Sequence, residues 1–210
     1  MAVNMYYSSE SSDSENTAEN FSLDLSYLML DTDSLVVHLR NSIREQHLQQ
    51  KCESPRTTRK KGGDRGGGGE GRRGRVEESP ESEGSMDSIH DTVTRKLLLQ
   101  HNMLLSLPFE ITRFSSLVAL DLSNNNLTHV NDFLLQLPEL QSLYLQNNNL
   151  ADDGLPKDLC TLTKLRELNL SGNKLTRVLP QLCEVVGLRY LYLGGNEITE
   201  ILPEIKALQR

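Results

Sequence analysis

Tryptophan is absent from these 210 residues, aromatic residues make up only 5% and hydrophobic residues 37%. That is little apolar material for a globular chain of this length, and the deficit falls in the first 90 residues. No apolar run approaches the ~20 residues needed to cross a bilayer, which excludes a membrane-spanning helix. The opening stretch MAVNMYYSSE has neither basic residues nor an apolar core, so a secretory signal is not expected there. Three cysteines (Cys52, Cys160, Cys183) have no metal-site or disulfide-framework spacing. Together these absences predict an intracellular protein with reduced thiols, in the cytoplasm first and the nucleus as the alternative. No Ser/His/Asp or Cys/His constellation is visible, so neither an enzyme, a cofactor nor a metal is expected.

What is present is a repeat. Leu117 to Leu127 reads LVALDLSNNNL, and its skeleton L-x-x-L-x-L-x-x-N-x-L returns as LQSLYLQNNNL, LRELNLSGNKL and LRYLYLGGNEI. A weaker first copy, TRKLLLQHNML, has Thr94 in place of the leading leucine. The copies start at 94, 117, 140, 165 and 188, a period of 23 with one step of 25. A fixed period in this range marks a solenoid, and this skeleton is that of the leucine-rich repeat. The predicted fold class is α/β: a curved parallel sheet of short strands with an irregular or helical convex side, preceded by a disordered N-terminal region.

The L-x-L pair has period 2, so both leucines face the interior and the residue between them faces outward. The asparagine column (Asn102, Asn125, Asn148, Asn173, Asn196) falls where the chain leaves each strand. An amide carries donors and an acceptor, which suits it to backbone groups freed at a turn. These asparagines are therefore read as a structural ladder. The outward strand positions contain Lys96, Asp121, Tyr144, Glu167, Asn169, Tyr190 and Tyr192. Tyrosine with amide and carboxylate neighbours is the composition of a protein-binding patch, and these seven are the candidate site on the concave face. Solvated scatter is the competing reading. Cys160 and Cys183 occupy equivalent places in adjacent repeats and are expected to pack into the core.

Four segments are expected along the chain. Residues 1–20 are a disordered, acidic, serine-rich tail. Residues 21–50 contain a short amphipathic helix, with Leu35, Val36, Leu39 and Ile43 as its stripe and Asp33 or Ser34 as N-cap. That helix covers the front of the solenoid or, alternatively, binds a partner. Residues 51–90 are a disordered linker, with eight basic residues and eight glycines between Arg56 and Arg75, followed by an acidic block. The Arg/Gly stretch has no aromatic to stack bases, so a nucleic-acid role is kept only as an alternative. Residues 91–210 are the repeat domain, about five repeats. Ile201, Leu202, Ile205 and Leu208 continue the pattern with nothing behind them. On that ground the chain is expected to be a truncated or alternative product that self-associates or frays at its last repeat.

A more specific resemblance rests on LSYLMLDTDSLVVHLR, KLLLQHNMLLSLP, NNNLADDGLPKDL and LRYLYLGGNEITEI. In these the sequence resembles the leucine-rich repeat-containing protein 58 family, over about residues 25–45 and 93–210. Residues 51–90 have no counterpart in it. That family continues its repeats and ends in a cysteine-rich region, whereas this chain stops at Arg210. The resemblance implies a non-catalytic scaffold or adaptor with a protein partner. It also implies an alternative, a substrate-recognition subunit of a cullin-type ubiquitin ligase whose docking region is not in this chain.

Overall fold

Each strand of the repeat is three to five residues long, too short to stand alone, so its stability comes from stacking on its copies. The structure is a computed structural model that describes residues 5–7, 21–53 and 94–199. It forms one open seven-stranded sheet whose spatial order is the chain order. The strands are β1 (Met5–Tyr7), β2 (Phe21–Asp24), β3 (Thr94–Leu98), β4 (Ala119–Asp121), β5 (Ser142–Tyr144), β6 (Glu167–Asn169) and β7 (Tyr190–Tyr192). From β2 to β7 every pairing is parallel, and Leu97, Leu120, Leu143, Leu168 and Leu191 stand in one register. The return paths are turns of 3-10 helix (Phe109–Arg113, Asp132–Gln136, Leu159–Thr161) and the single-turn helix α2 (Pro180–Cys183). One aliphatic core runs the length of the stack, and Phe114 is its largest fully buried side chain. The fold is thus an α/β leucine-rich repeat solenoid.

The front of the solenoid differs from the sequence reading. Phe21–Asp24 is a strand, not part of a helical segment, and the sheet therefore begins well before residue 91. Leu23 and Leu25 are buried like the strand leucines of later repeats, and Leu25 N–H donates to Leu98 O at 2.8 Å. FSLDLSYLML is a further repeat turn, with Leu28 where the ladder asparagine would fall. Its N–H at Leu30 bonds the Asn102 side chain across a sequence separation of 72 residues. That separation conceals the turn from a search for a 23-residue period. Met5–Tyr7, within the segment expected to be a tail, pairs antiparallel with β2. The remainder of 1–20, the linker from residue 54 to 93 and the apolar C-terminal positions 201–208 lie outside the described residues.

Helix α1 (Thr32–Glu53) leaves the solenoid after that first turn. Its N-cap is Asp31, not Asp33 or Ser34 as expected from the sequence. Asp31 Oδ1 accepts the Ser34 N–H at 2.8 Å, and its backbone O accepts Leu35 N–H at 3.0 Å. The bonds from Ser34 hold the Asp31 carboxyl below its ordinary value. Leu35 and Leu39 are fully buried in the common core, and Ile43 packs against it. Arg40 bonds Glu110 on the first return turn, with Nε to Oε1 at 2.8 Å. Cys160 is exposed and Cys183 half-buried, against the expectation of core packing. The core side of the return turns is filled from Leu159, Leu162, Leu182 and Val185 instead.

Candidate protein-binding face

The register fixes which outward side chains are neighbours. One row across the sheet runs Lys96, Ala119, Ser142, Glu167 and Tyr190, and the next runs Leu98, Asp121, Tyr144, Asn169 and Tyr192. Neighbours in a row are one strand spacing apart, about 4.8 Å at the backbone. Asp121 is therefore opposite Tyr144, Glu167 opposite Tyr190, and Asn169 opposite Tyr192. Lys96 stands apart on β3, with Ser22 of β2 on one side and Ala119 and Ser142 between it and Glu167 on the other.

The three tyrosines are not equivalent. Tyr144 is half-buried, and its hydroxyl donates to Glu167 Oε2 at 2.8 Å. Burial pushes its pKa up, and the Glu167 bond adds to the shift. Tyr190 and Tyr192 are 58% and 45% exposed. Next to them on the same side of the chain, a Cβ added at Gly194 would meet nothing within 4 Å, so backbone there is open to a partner. The outward face thus presents an aromatic platform at β7 beside a fixed Tyr144–Glu167 pair.

Two carboxyl and amide groups of the face also hold the fold together. Asp121 Oδ1 accepts Ser123 N–H at 2.9 Å, and Asn169 Oδ1 accepts Ser171 N–H at 3.0 Å. Asp24 does the same for Ser26 at 2.9 Å. These are Asx turns closing the strand ends, a duty the sequence reading did not assign.

Behind the face is the asparagine ladder. Asn148 Oδ1 accepts Leu127 N–H of the previous turn at 3.0 Å, while Nδ2 donates to Leu122 O and Leu145 O, each at 3.0 Å. Asn102, Asn125 and Asn173 are buried and bonded in the same way, and Asn196 repeats the pattern half-buried. Each amide ties its own turn of backbone to the preceding one.

A further row, missed in the sequence, precedes the ladder residues. Tyr27, His101, Asn124, Asn147, Gly172 and Gly195 all have φ between 54° and 70°, the left-handed turn that each strand exit requires. The Tyr27 and His101 rings stack at 4.3 Å, and Asn147 Nδ2 donates to Asn124 Oδ1 at 3.0 Å. A Cβ at Gly172 would crowd Asn147 Oδ1 and force that side chain to shift, and glycine takes the positive φ without the cost that a side chain adds. The readable signal was the residue just before each ladder asparagine.

Among the described residues no group of three or more His, Cys, Asp or Glu side chains is placed to hold a metal ion, and no helix is long and apolar enough to cross a membrane. The Arg/Gly stretch at 56–75 lies outside the described residues.

Comparison with known proteins agrees with this geometry. Models of leucine-rich repeats match residues 93–150, 138–184 and 187–208. Leucine-rich repeat-containing protein 58 of Xenopus tropicalis is 40% identical over 87 residues, which is 41% of this chain and 25% of the relative. The Homo sapiens protein of that name is 43% identical over 83 residues, 37% of this chain and 22% of the relative. Among solved structures, a leucine-rich repeat protein of Leptospira interrogans is 35% identical with a TM-score of 0.52, over 56% of this chain and 29% of its own. The chain therefore spans about a quarter of the length of these curated relatives. Leucine-rich repeat proteins generally serve as scaffolds for protein interaction. Residues 93–208 of this chain are leucine-rich repeats, similar in sequence to those of leucine-rich repeat-containing protein 58.

Proposed function

We propose that this chain is a non-catalytic scaffold that recognises a protein partner through the concave face of its repeats. The observation that carries the reading is the pair Tyr190 and Tyr192, exposed on one strand beside the open backbone at Gly194. Tyrosine contributes large, rigid contact area at low entropic cost, and its hydroxyl adds a directional bond. Tyr144 and Glu167 extend the patch as a preorganised pair, while Asn169 and Asp121 fill the neighbouring positions. Lys96, on β3, lies three strands from Glu167 and outside this cluster.

The test is parallel affinity capture with the full chain, its Tyr190→Ala/Tyr192→Ala variant and a convex-side variant, Lys164→Ala. The reading expects specific partners to be lost only from the tyrosine variant, at unchanged circular dichroism. Equal recovery by all three proteins would remove the concave face from consideration.

A further inference from the structure

The single 25-residue step interrupts the solenoid at one place. Its extra residues fall in Ala151–Gly154, which form a ledge at the edge of the stack. Gly154 anchors the ledge. Its carbonyl accepts Val130 N–H at 2.7 Å, and a Cβ on it would lie 2.9 Å from Thr128 O. Between this ledge and segment 174–181 of the next repeat is a hollow of about 550 Å³. Inserted residues in repeat proteins map to loops on one face, often the binding face.

The lining has a definite chemistry. Ala151 and Pro180 supply the accessible apolar surface, over Leu155 and Leu179, which are buried in the core beneath. Asp152 is already committed, accepting Thr176 N–H at 2.9 Å and Thr176 Oγ1–H at 2.7 Å, with Arg177 Nε 3.3 Å away. Asp153 is within 3.7 Å of His129 on the neighbouring turn. Lys157 and Lys174 also line the hollow, and neither forms an ion pair with a described residue. Three cations (Lys157, Lys174, Arg177) stand against two carboxylates (Asp152, Asp153), so the lining carries one positive charge in excess, with both ammonium groups exposed. No aromatic ring is present to stack a base, which disfavours a nucleic acid.

We propose that this hollow is a second docking site, separate from the concave face, for an acidic segment of a partner protein. An apolar side chain of that segment sits against Ala151 and Pro180, and flanking carboxylates meet Lys157 and Lys174. The ammonium groups are flexible point charges, so they select charge and spacing rather than one fixed carboxylate geometry. Rim charges of this kind act on encounter rate and salt dependence more than on residence time.

The experiment uses the full chain and fluorescein-labelled decapeptide pools in which Glu and Asp alternate with degenerate Leu, Ile, Met and Phe. Fluorescence anisotropy is expected to show saturable binding that weakens with salt. Binding falls about tenfold or more in Lys157→Gln/Lys174→Gln and disappears in Lys157→Glu/Lys174→Glu. The Tyr190→Ala/Tyr192→Ala variant binds the pool as the parent does, which separates this site from the concave face. Three results overturn the proposal: no saturable binding to the parent chain, unchanged binding in the lysine variants, or equal binding of a pool with Gln and Asn in place of the acids.

Discussion

Gln46 of helix α1 donates from Nε2 to Oγ1 of Thr94 at 2.7 Å, and both side chains are buried. Thr94 stands where later repeats have their leading leucine. A hydroxyl in that place leaves a polar atom inside the core, and the helix brings the amide that satisfies it. The imperfect repeat at Thr94 and helix α1 thus meet through this bond.

The first prediction follows from that pair. Thr94→Val is expected to cost about 1–3 kcal/mol by leaving the Gln46 amide unsatisfied, and Gln46→Met less, because it also removes Gln46 Oε1, which is buried without a partner. The double variant should lie closer to the parent than the sum of the two, in a chemical-denaturation cycle. Strict additivity would mean that the bond does not couple helix and solenoid.

The ladder predicts a contrast between neighbours. Asn148→Ala leaves Leu127 N–H and two carbonyls without their partner, at an expected cost of roughly 2–3 kcal/mol or more. Asn149 is half-buried rather than exposed, yet no side-chain bond of it is found among the described residues. Asn149→Ala should change stability by about 0.5 kcal/mol or less. Thermal denaturation of the two variants compares them directly, and equal losses would contradict the ladder.

At the strand exits, Gly172→Ala places a Cβ at φ 66° against Asn147 Oδ1. The backbone conformation alone should cost about 1–2 kcal/mol. Adding Asn147→Ala should relieve the contact and leave that conformational part. A Gly172→Ala protein as stable as the parent in urea would contradict the turn geometry.

Alkaline titration reads the Tyr144–Glu167 pair. Burial and the Glu167 bond raise the folded-state pKa above the unfolded value, so the neutral phenol is favoured in the folded chain. Its contribution to stability is complete below the unfolded pKa and is lost as pH rises through the folded pKa. Tyr144→Phe should therefore flatten the alkaline limb of the stability profile above about pH 10. An unchanged alkaline limb would show that the pair carries no linkage.

Strand positions from β3 to β7 were legible because period 2 and the 23-residue repeat act together on Leu97, Leu120, Leu143 and Leu168. The turn at Phe21–Leu30 was not, since helix and linker separate it from its partner strand and Leu28 replaces the ladder asparagine. Tyr144, Tyr190 and Tyr192 could be placed on one face from spacing alone. That Tyr144 is held by Glu167 while the other two are exposed depends on side-chain reach across strands, which no repeat pattern encodes. The thiol positions failed for a related reason. Equivalence within a repeat tells which residues are neighbours, not which of them turn inward on an irregular return path.

The central claim is that the outward strand face is where a partner sits. Site-specific photo-crosslinking tests it most directly, with a photoreactive phenylalanine analogue placed at Ser142 on that face or at Thr163 on the exposed return side. The account predicts a discrete crosslinked partner from Ser142, reduced by Tyr190→Ala/Tyr192→Ala, and none of that species from Thr163. The same species from Thr163, or none from Ser142 while capture by the intact chain persists, would contradict it.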